Sequence, residues 1–430
     1  MPKLRNRYLT VLILIHILVV FGITMYVVMS RMDYHGVLLV GDNYYDIAKE
    51  FVRGDTLLHK FRGPVLPLLF SILFVFPESM HPFVRLLISV IFSVGTIILV
   101  FSIAREYMSE KACFLGSLIF ILNPVYVHWT VRPYPEIFIA FFLAFFISNI
   151  INYFRTNKVS FLVHAILAFF VSFFIKPVFL FIPMSLLVAA IVIKSRKAII
   201  ISLLLVVVAI FAYHAQDKFT EIRYDSNVSR FERTYTYVHK ALLIADSYWV
   251  DYVLRTRQFF KPTLRPYTIP YRDNKSLDEY GSDWVKTYFQ KYPKGNLVFM
   301  NLYFICDKPI LVLQKLLISP LFFFSMSART SETFVKLFFS IVSVVLAAFG
   351  LRVVLRTADN RKEIILIGAI VAGYILLHLV THAINRYSLP ILPFLYIWGG
   401  VPVVKLINRV CGSSHVKIRK SCPQLISKVR

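Results

Sequence analysis

Long oily runs alternate with short polar segments along the chain. Tyr8–Met29, Phe83–Ala104, Glu136–Tyr153, Ala198–Tyr213, Phe334–Leu351, Glu363–Val380 and Ser388–Leu406 are nearly free of charge. A bilayer core of roughly 30 Å takes about 20 helical residues, so each run predicts a membrane-crossing helix. Lys111–His128 predicts another. Phe161–Ile193 is too long for one crossing, and Lys176-Pro177 divides it into two. The tally is about ten crossings by this length rule. Pro64–Phe76 is too short for a full span and carries a proline just beyond its end, Pro77, which predicts a re-entrant or interfacial element. Pro309–Ser325 is ambiguous; if both of these cross, the number becomes about twelve. Asn43–Val52 sets Tyr44, Ile47, Ala48 and Phe51 at helical spacing, with Asp46, Lys49, Glu50 and Arg53 opposite. That pattern predicts a short amphipathic helix on the membrane surface.

The fold class expected is therefore an all-α polytopic membrane protein of about 10–12 transmembrane helices with exterior juxtamembrane helices. Four parts follow: an N-terminal transmembrane module, 1–213, with a first exterior loop at 30–63; an exterior polar domain, 214–308; a C-terminal transmembrane module, 309–406; and a basic tail, 407–430. The absence of an evident internal repeat weighs against an inverted-repeat transporter.

Composition supports the class. Of 430 residues, 58% are apolar and 17% charged, too oily for a soluble globule or a disordered chain. The net charge of +25 points away from nucleic acid, because Lys and Arg cluster in the short segments between oily runs. This is the positive-inside pattern: it places both termini in the cytoplasm and the acid-rich loop after the first span outside. Four cysteines show neither metal-ligand spacing nor a disulfide framework. The first run lacks a small-residue cleavage site and reads as a retained anchor.

Charges at span ends are costly and usually functional. Under this topology Asp42, Asp46, Arg62, Arg132, Glu136, Lys176, His382 and Arg386 all face the exterior. Carboxylates orient or deprotonate a hydroxyl, and Arg and Lys hold a phosphate and stabilise its charge as it leaves. Each has a plainer reading too. Asp42 suits a helix N-cap and Asp46 a solvated helix face. Arg62, Arg132 and Lys176 suit snorkelling to headgroups. Glu136 suits the first turn of a helix, and Arg386 beside Tyr387 suits an interfacial anchor. His16, His128, His164 and His378 stand singly on apolar stretches and read as structural.

Four motifs occur in order: Gly41-Asp42-Asn43-Tyr44-Tyr45-Asp46-Ile47-Ala48, Phe61-Arg62-Gly63-Pro64-Val65-Leu66-Pro67-Leu68-Leu69, Arg132-Pro133-Tyr134-Pro135-Glu136 and Asn385-Arg386-Tyr387-Ser388-Leu389-Pro390-Ile391-Leu392-Pro393. This order resembles the GT-C class of integral-membrane glycosyltransferases, particularly the branch around protein O-mannosyltransferases and aminoarabinose transferases. The 214–308 stretch has no counterpart in that resemblance. The resemblance implies a GT-C-like fold and a transferase that uses a polyprenyl-phosphate-linked sugar at the exterior leaflet of a prokaryotic inner membrane. Asp42 takes the position of the family's catalytic acid, with Glu136 as a second exterior acid. Arg62, Lys176 and Arg386 would bind the donor phosphate; Asp46, Arg132, Tyr45 and His382 would contact substrate. The acceptor would be a lipid, a polysaccharide or a protein, and no metal or other cofactor is expected. Asp42 is followed by Asn43, so the Asp-Glu pair of the O-mannosyltransferases is missing. Two other functions share these features: a flippase or transporter of a lipid-linked or anionic solute, and a polysaccharide polymerase.

Overall fold

The computed structural model describes residues 7–30, 38–39, 44–54, 63–132, 134–176, 179, 181–224, 243, 247, 297–324, 330–358, 360–380 and 388–410. The described residues form helices and connecting turns. In chain order the helices are α1 (Arg7–Met29), α2 (Tyr44–Val52), α3 (Val65–Phe70), α4 (His81–Ala104), α5 (Glu110–Ile121), α6 (Pro124–Val131), α7 (Glu136–Thr156) and α8 (Val159–Ile175). There follow α9 (Phe181–Val192), α10 (Arg196–Tyr224), α11 (Leu297–Asp307), α12 (Pro309–Phe324), α13 (Thr330–Thr357), α14 (Arg361–Val380), α15 (Leu392–Tyr396) and α16 (Gly400–Val410).

Among the described residues, six helical stretches are long and apolar enough to cross a membrane: α1, α4 with the 3-10 turn before it, α7, and parts of α10, α13 and α14. The expected crossing at Lys111–His128 is a bent pair: α5 and α6 meet at 61°. Pro124 starts the second half, and the Asn123 side chain caps it by accepting from the Val125 and Tyr126 amides at 2.8 and 3.3 Å. The two halves of Phe161–Ile193 are α8 and α9. They separate after Ile175 because Lys176 precedes proline and adopts extended backbone. The expected single span over Ser388–Leu406 is instead α15, a 3-10 turn at Ile397–Gly399 and α16. Three prolines and the Gly399-Gly400 pair interrupt one continuous helix there. Pro64–Phe76 is short, as expected: α3 followed by a 3-10 turn, Ser71–Val75. The exterior domain expected over 214–308 lies largely outside the described residues; α10 continues into its start and α11 occupies its end.

α7 is the centre of the bundle. Ile137, Phe138, Ile139, Ala140, Leu143 and Phe146 are all fully buried, which covers every side of the helix. α4 and α8 flank it, and α8 returns antiparallel through Asn157 in the left-handed conformation (φ 56°). α1 lies at the edge: Leu12, His16, Val20 and Thr24 form one buried stripe, while Leu14, Leu18 and Phe21 face outward as lipid-contacting residues do.

The two ends of the bundle differ chemically. α7 rises about 1.5 Å per residue, so Glu136 and Arg155 stand about 30 Å apart at opposite ends. At the Arg155 end, its guanidinium makes a two-bond pair with Glu363 at the start of α14, at 2.9 and 2.6 Å. It also reaches Glu106 at 3.3 Å, and the Tyr107 hydroxyl donates to Glu363 at 2.5 Å. This cluster ties the N-terminal helices to the C-terminal ones. Burial, and then the Glu363 charge, hold the Tyr107 phenol protonated above its ordinary range.

Candidate functional site

The opposite end gathers the start of α4, the start of α7, the end of α8 and α2. Glu136 is the first residue of α7, where a carboxylate favours the helix dipole. It is 1% exposed, and Oε1 accepts from Lys176 Nζ at 3.1 Å; the Lys176 side chain is 24% exposed. A carboxylate this deep is costly to keep ionised, and a cation at hydrogen-bond distance offsets that cost. Lys176 reaches it because α8 ends there and the chain turns extended before Pro177. Sequence reasoning named both residues; the structure joins them into one pair.

Gly63, next after Arg62, packs on the backbone carbonyls of Phe174 and Ile175, immediately before Lys176. No side chain fits in that gap, so the second motif is held against the end of α8. Arg62 itself lies outside the described residues, as do Asp42, His382 and Arg386.

Of the remaining predicted residues, Asp46 is exposed on α2, whose buried face is Tyr44, Tyr45, Ile47 and Ala48. Arg132 stacks over the Trp129 ring, its guanidinium carbon 5.5 Å from the centroid. The Tyr45 hydroxyl lies 2.9 Å from His81 Nδ1. Burial, followed by the charges of Glu78 and Asp46, raises the Tyr45 pKa above the usual phenol value. Among the described residues, no three His, Cys, Asp or Glu side chains stand together as metal ligands would.

Two residues escaped sequence reasoning. His81 opens α4, and Arg85 is fully buried one turn further on. Arg85 Nη2 donates to the Val131 carbonyl, the last of α6, and Nη1 reaches Ser89 Oγ at 3.4 Å. The chain then makes the short turn that starts α7 at Glu136. The signal for Arg85 was present in the sequence: an arginine inside an oily run.

Further in, the α4 face continues as Ser89, Ser93 and Thr96, all fully buried. Ser93 Oγ meets His16 Nε2 of α1 at 2.7 Å and the Tyr126 hydroxyl of α6 at 3.1 Å. His16, expected to stand singly on an apolar stretch, thus has a buried polar partner.

Compared with solved structures, the described architecture matches the crystal structure of the Archaeoglobus fulgidus oligosaccharyltransferase in its apo form, with a TM-score of 0.55 and 12% identity over 96% of this chain. The fold is GT-C. A second structure of that organism's oligosaccharyltransferase AglB, in complex with an inhibitory peptide and a dolichol-phosphate, aligns at 13% identity over 94% of this chain with a TM-score of 0.46. The chain spans about half the length of both, 53% and 52%. No protein-family model matches the sequence, and no curated protein matches it.

Proposed function

We propose that the chain is a membrane glycosyltransferase that moves a sugar from a polyprenyl-phosphate-linked donor to an acceptor hydroxyl at the exterior face. The observation that carries this reading is the buried Glu136–Lys176 pair at one end of a GT-C fold. In the proposed reaction the acceptor oxygen attacks the anomeric carbon, its proton passes to Asp42, and the carbon–oxygen bond to the lipid phosphate breaks. One displacement inverts the anomeric centre and leaves polyprenyl phosphate. Lys176, Arg62 and Arg386 would stabilise its charge, and Glu136 would hold Lys176 in place. An apolar crevice of ≈ 300 Å³ between α9 and α10, lined by Pro183, Met184, Val206 and Ile210, offers hydrocarbon surface near the start of α9. That suits a lipid-borne donor. The acceptor would be a hydroxyl on a lipid, a polysaccharide or a protein.

Sugar transfer from polyprenyl-phosphate donors, measured in membranes, tests the reading. Asp42→Asn should lower kcat by two orders of magnitude or more, about the share of a general base, at unchanged protein level. Full activity in that variant removes Asp42 from the mechanism. A ladder of product sizes instead of one added sugar would assign a polymerase. One observation favours a carrier instead: the bent α5–α6 span, with buried polar groups beside it, has the broken-helix character of transporters. Donor flux into proteoliposomes without sugar transfer would establish that reading and end the enzymatic one.

A further inference from the structure

His81 connects the surface helix α2 to the bundle. Its imidazole is 4% exposed, with Nε2 2.9 Å from the Phe76 carbonyl oxygen and Nδ1 2.9 Å from the Tyr45 hydroxyl. A carbonyl oxygen can only accept, so Nε2 carries the proton. In the neutral imidazole Nδ1 is then the acceptor, and the Tyr45 hydroxyl donates to it. The Phe74 ring completes the contact: it stacks on Tyr45 at 5.4 Å and meets His81 edge-on at 5.1 Å between centroids. Among the described elements, α2 packs most closely on α3 and the 3-10 turn at Ser71–Val75, which are themselves short elements. The Tyr45–His81 bond is thus a direct polar tie between α2 and a long helix of the bundle. It acts in the first turn of α2, one residue before exposed Asp46 and, in sequence, three residues after Asp42.

We propose that His81 is a positioning residue: by accepting from Tyr45 it fixes the first turn of α2, and with it Asp46, the acid of that turn. The link to chemistry rests on the glycosyltransferase reading above; the mechanical tie does not. His81 touches no reacting atom in this role. The imidazole is oriented by Phe76, and it orients Tyr45 in turn.

The test uses the full-length protein in lipid nanodiscs and in membranes. Amide hydrogen exchange over residues 44–52 should speed up by about five- to tenfold in Tyr45→Phe, the fold-change expected from one buried hydrogen bond. His81→Ala should do the same. The double variant should be no worse than His81→Ala, because the two residues share one interaction. His81→Asn retains an acceptor at the place of Nδ1 and should recover slower exchange. In the transfer assay, kcat should fall in Tyr45→Phe and His81→Ala and recover in His81→Asn, with the pH profile unmoved. Unchanged exchange of α2 in Tyr45→Phe would overturn the proposal, as would His81→Asn behaving like His81→Ala. A shifted pH profile would make His81 an acid–base group and overturn it too. If the unmodified protein transfers no sugar, the glycosyltransferase reading falls, while the exchange measurement still decides whether the tie exists.

Discussion

Glu136 and Lys176 are unequal partners, and the inequality has consequences. Lys176→Met leaves a carboxylate buried at 1% exposure facing an apolar side chain. Removing one member of a buried pair costs about 3–5 kcal/mol, so this variant should lose most of its thermal stability margin in detergent. Glu136→Gln keeps the shape and a hydrogen-bond acceptor, and the partly exposed ammonium recovers water; its cost should be about 1 kcal/mol. Melting curves of the two purified variants check the order, and equal losses would contradict it. Arg85 gives a second case. Arg85→Leu should cost about 2 kcal/mol, since the Val131 carbonyl loses a charged donor. Arg85→Lys should restore part of it, read in the same melts. Glu136 and Lys176 were visible in the sequence because each interrupts or opens an oily run. That they meet was not, since they lie 40 residues apart on two helices and pairing follows from how α7 packs on α8. His81 carried no signal at all: a histidine before a proline at a span boundary is ordinary.

Helices were the most legible level. Apolar length and the positions of proline located α1, α4, α7 and α14 nearly to their ends and the middle of α13, and the alternation of Tyr44, Ile47 and Ala48 with charges located α2. What the pattern missed were the break of the last oily run at its prolines and Gly399-Gly400, and the close approach of that run to α5. Gly116 of α5 lies against the Ile397 backbone, where an added methyl meets the carbonyl. The last oily run therefore threads the core as short pieces, with Leu389, Ile391, Tyr396 and Ile397 buried. Hydropathy alone cannot distinguish such a run from a straight lipid-facing helix. Gly116→Val should force α5 away from Ile397 and cost about 2–3 kcal/mol as overpacking. Exposed glycine Gly22, with open space around it, should accept valine with no measurable change. Paired melting points of the two variants give the comparison.

On the scale of the whole molecule, the end opposite the candidate site closes through Arg155, Glu363, Glu106 and Tyr107. The Tyr107 phenol has a raised folded-state pKa, so the protonated form is the one the fold favours. Its contribution is complete below the ordinary phenol value near 10 and is lost as pH rises above that value. Stability of the native chain should fall more steeply above pH 10 than that of Tyr107→Phe, measured by thermal unfolding across alkaline buffers. Parallel slopes would remove Tyr107 from the linkage. The bent α5–α6 pair bears on how such a chain is made. With 12 and 8 residues, neither α5 nor α6 reaches the length of about 20 that partitions into lipid unaided. The polar Asn123 at their junction adds to the penalty. α4, synthesised just before them, already presents Ser93 to receive Tyr126. Integration of α5 and α6 during biosynthesis should therefore depend on the helix preceding them, so that the ribosome delivers this part of the bundle as a hairpin and not as independent rods.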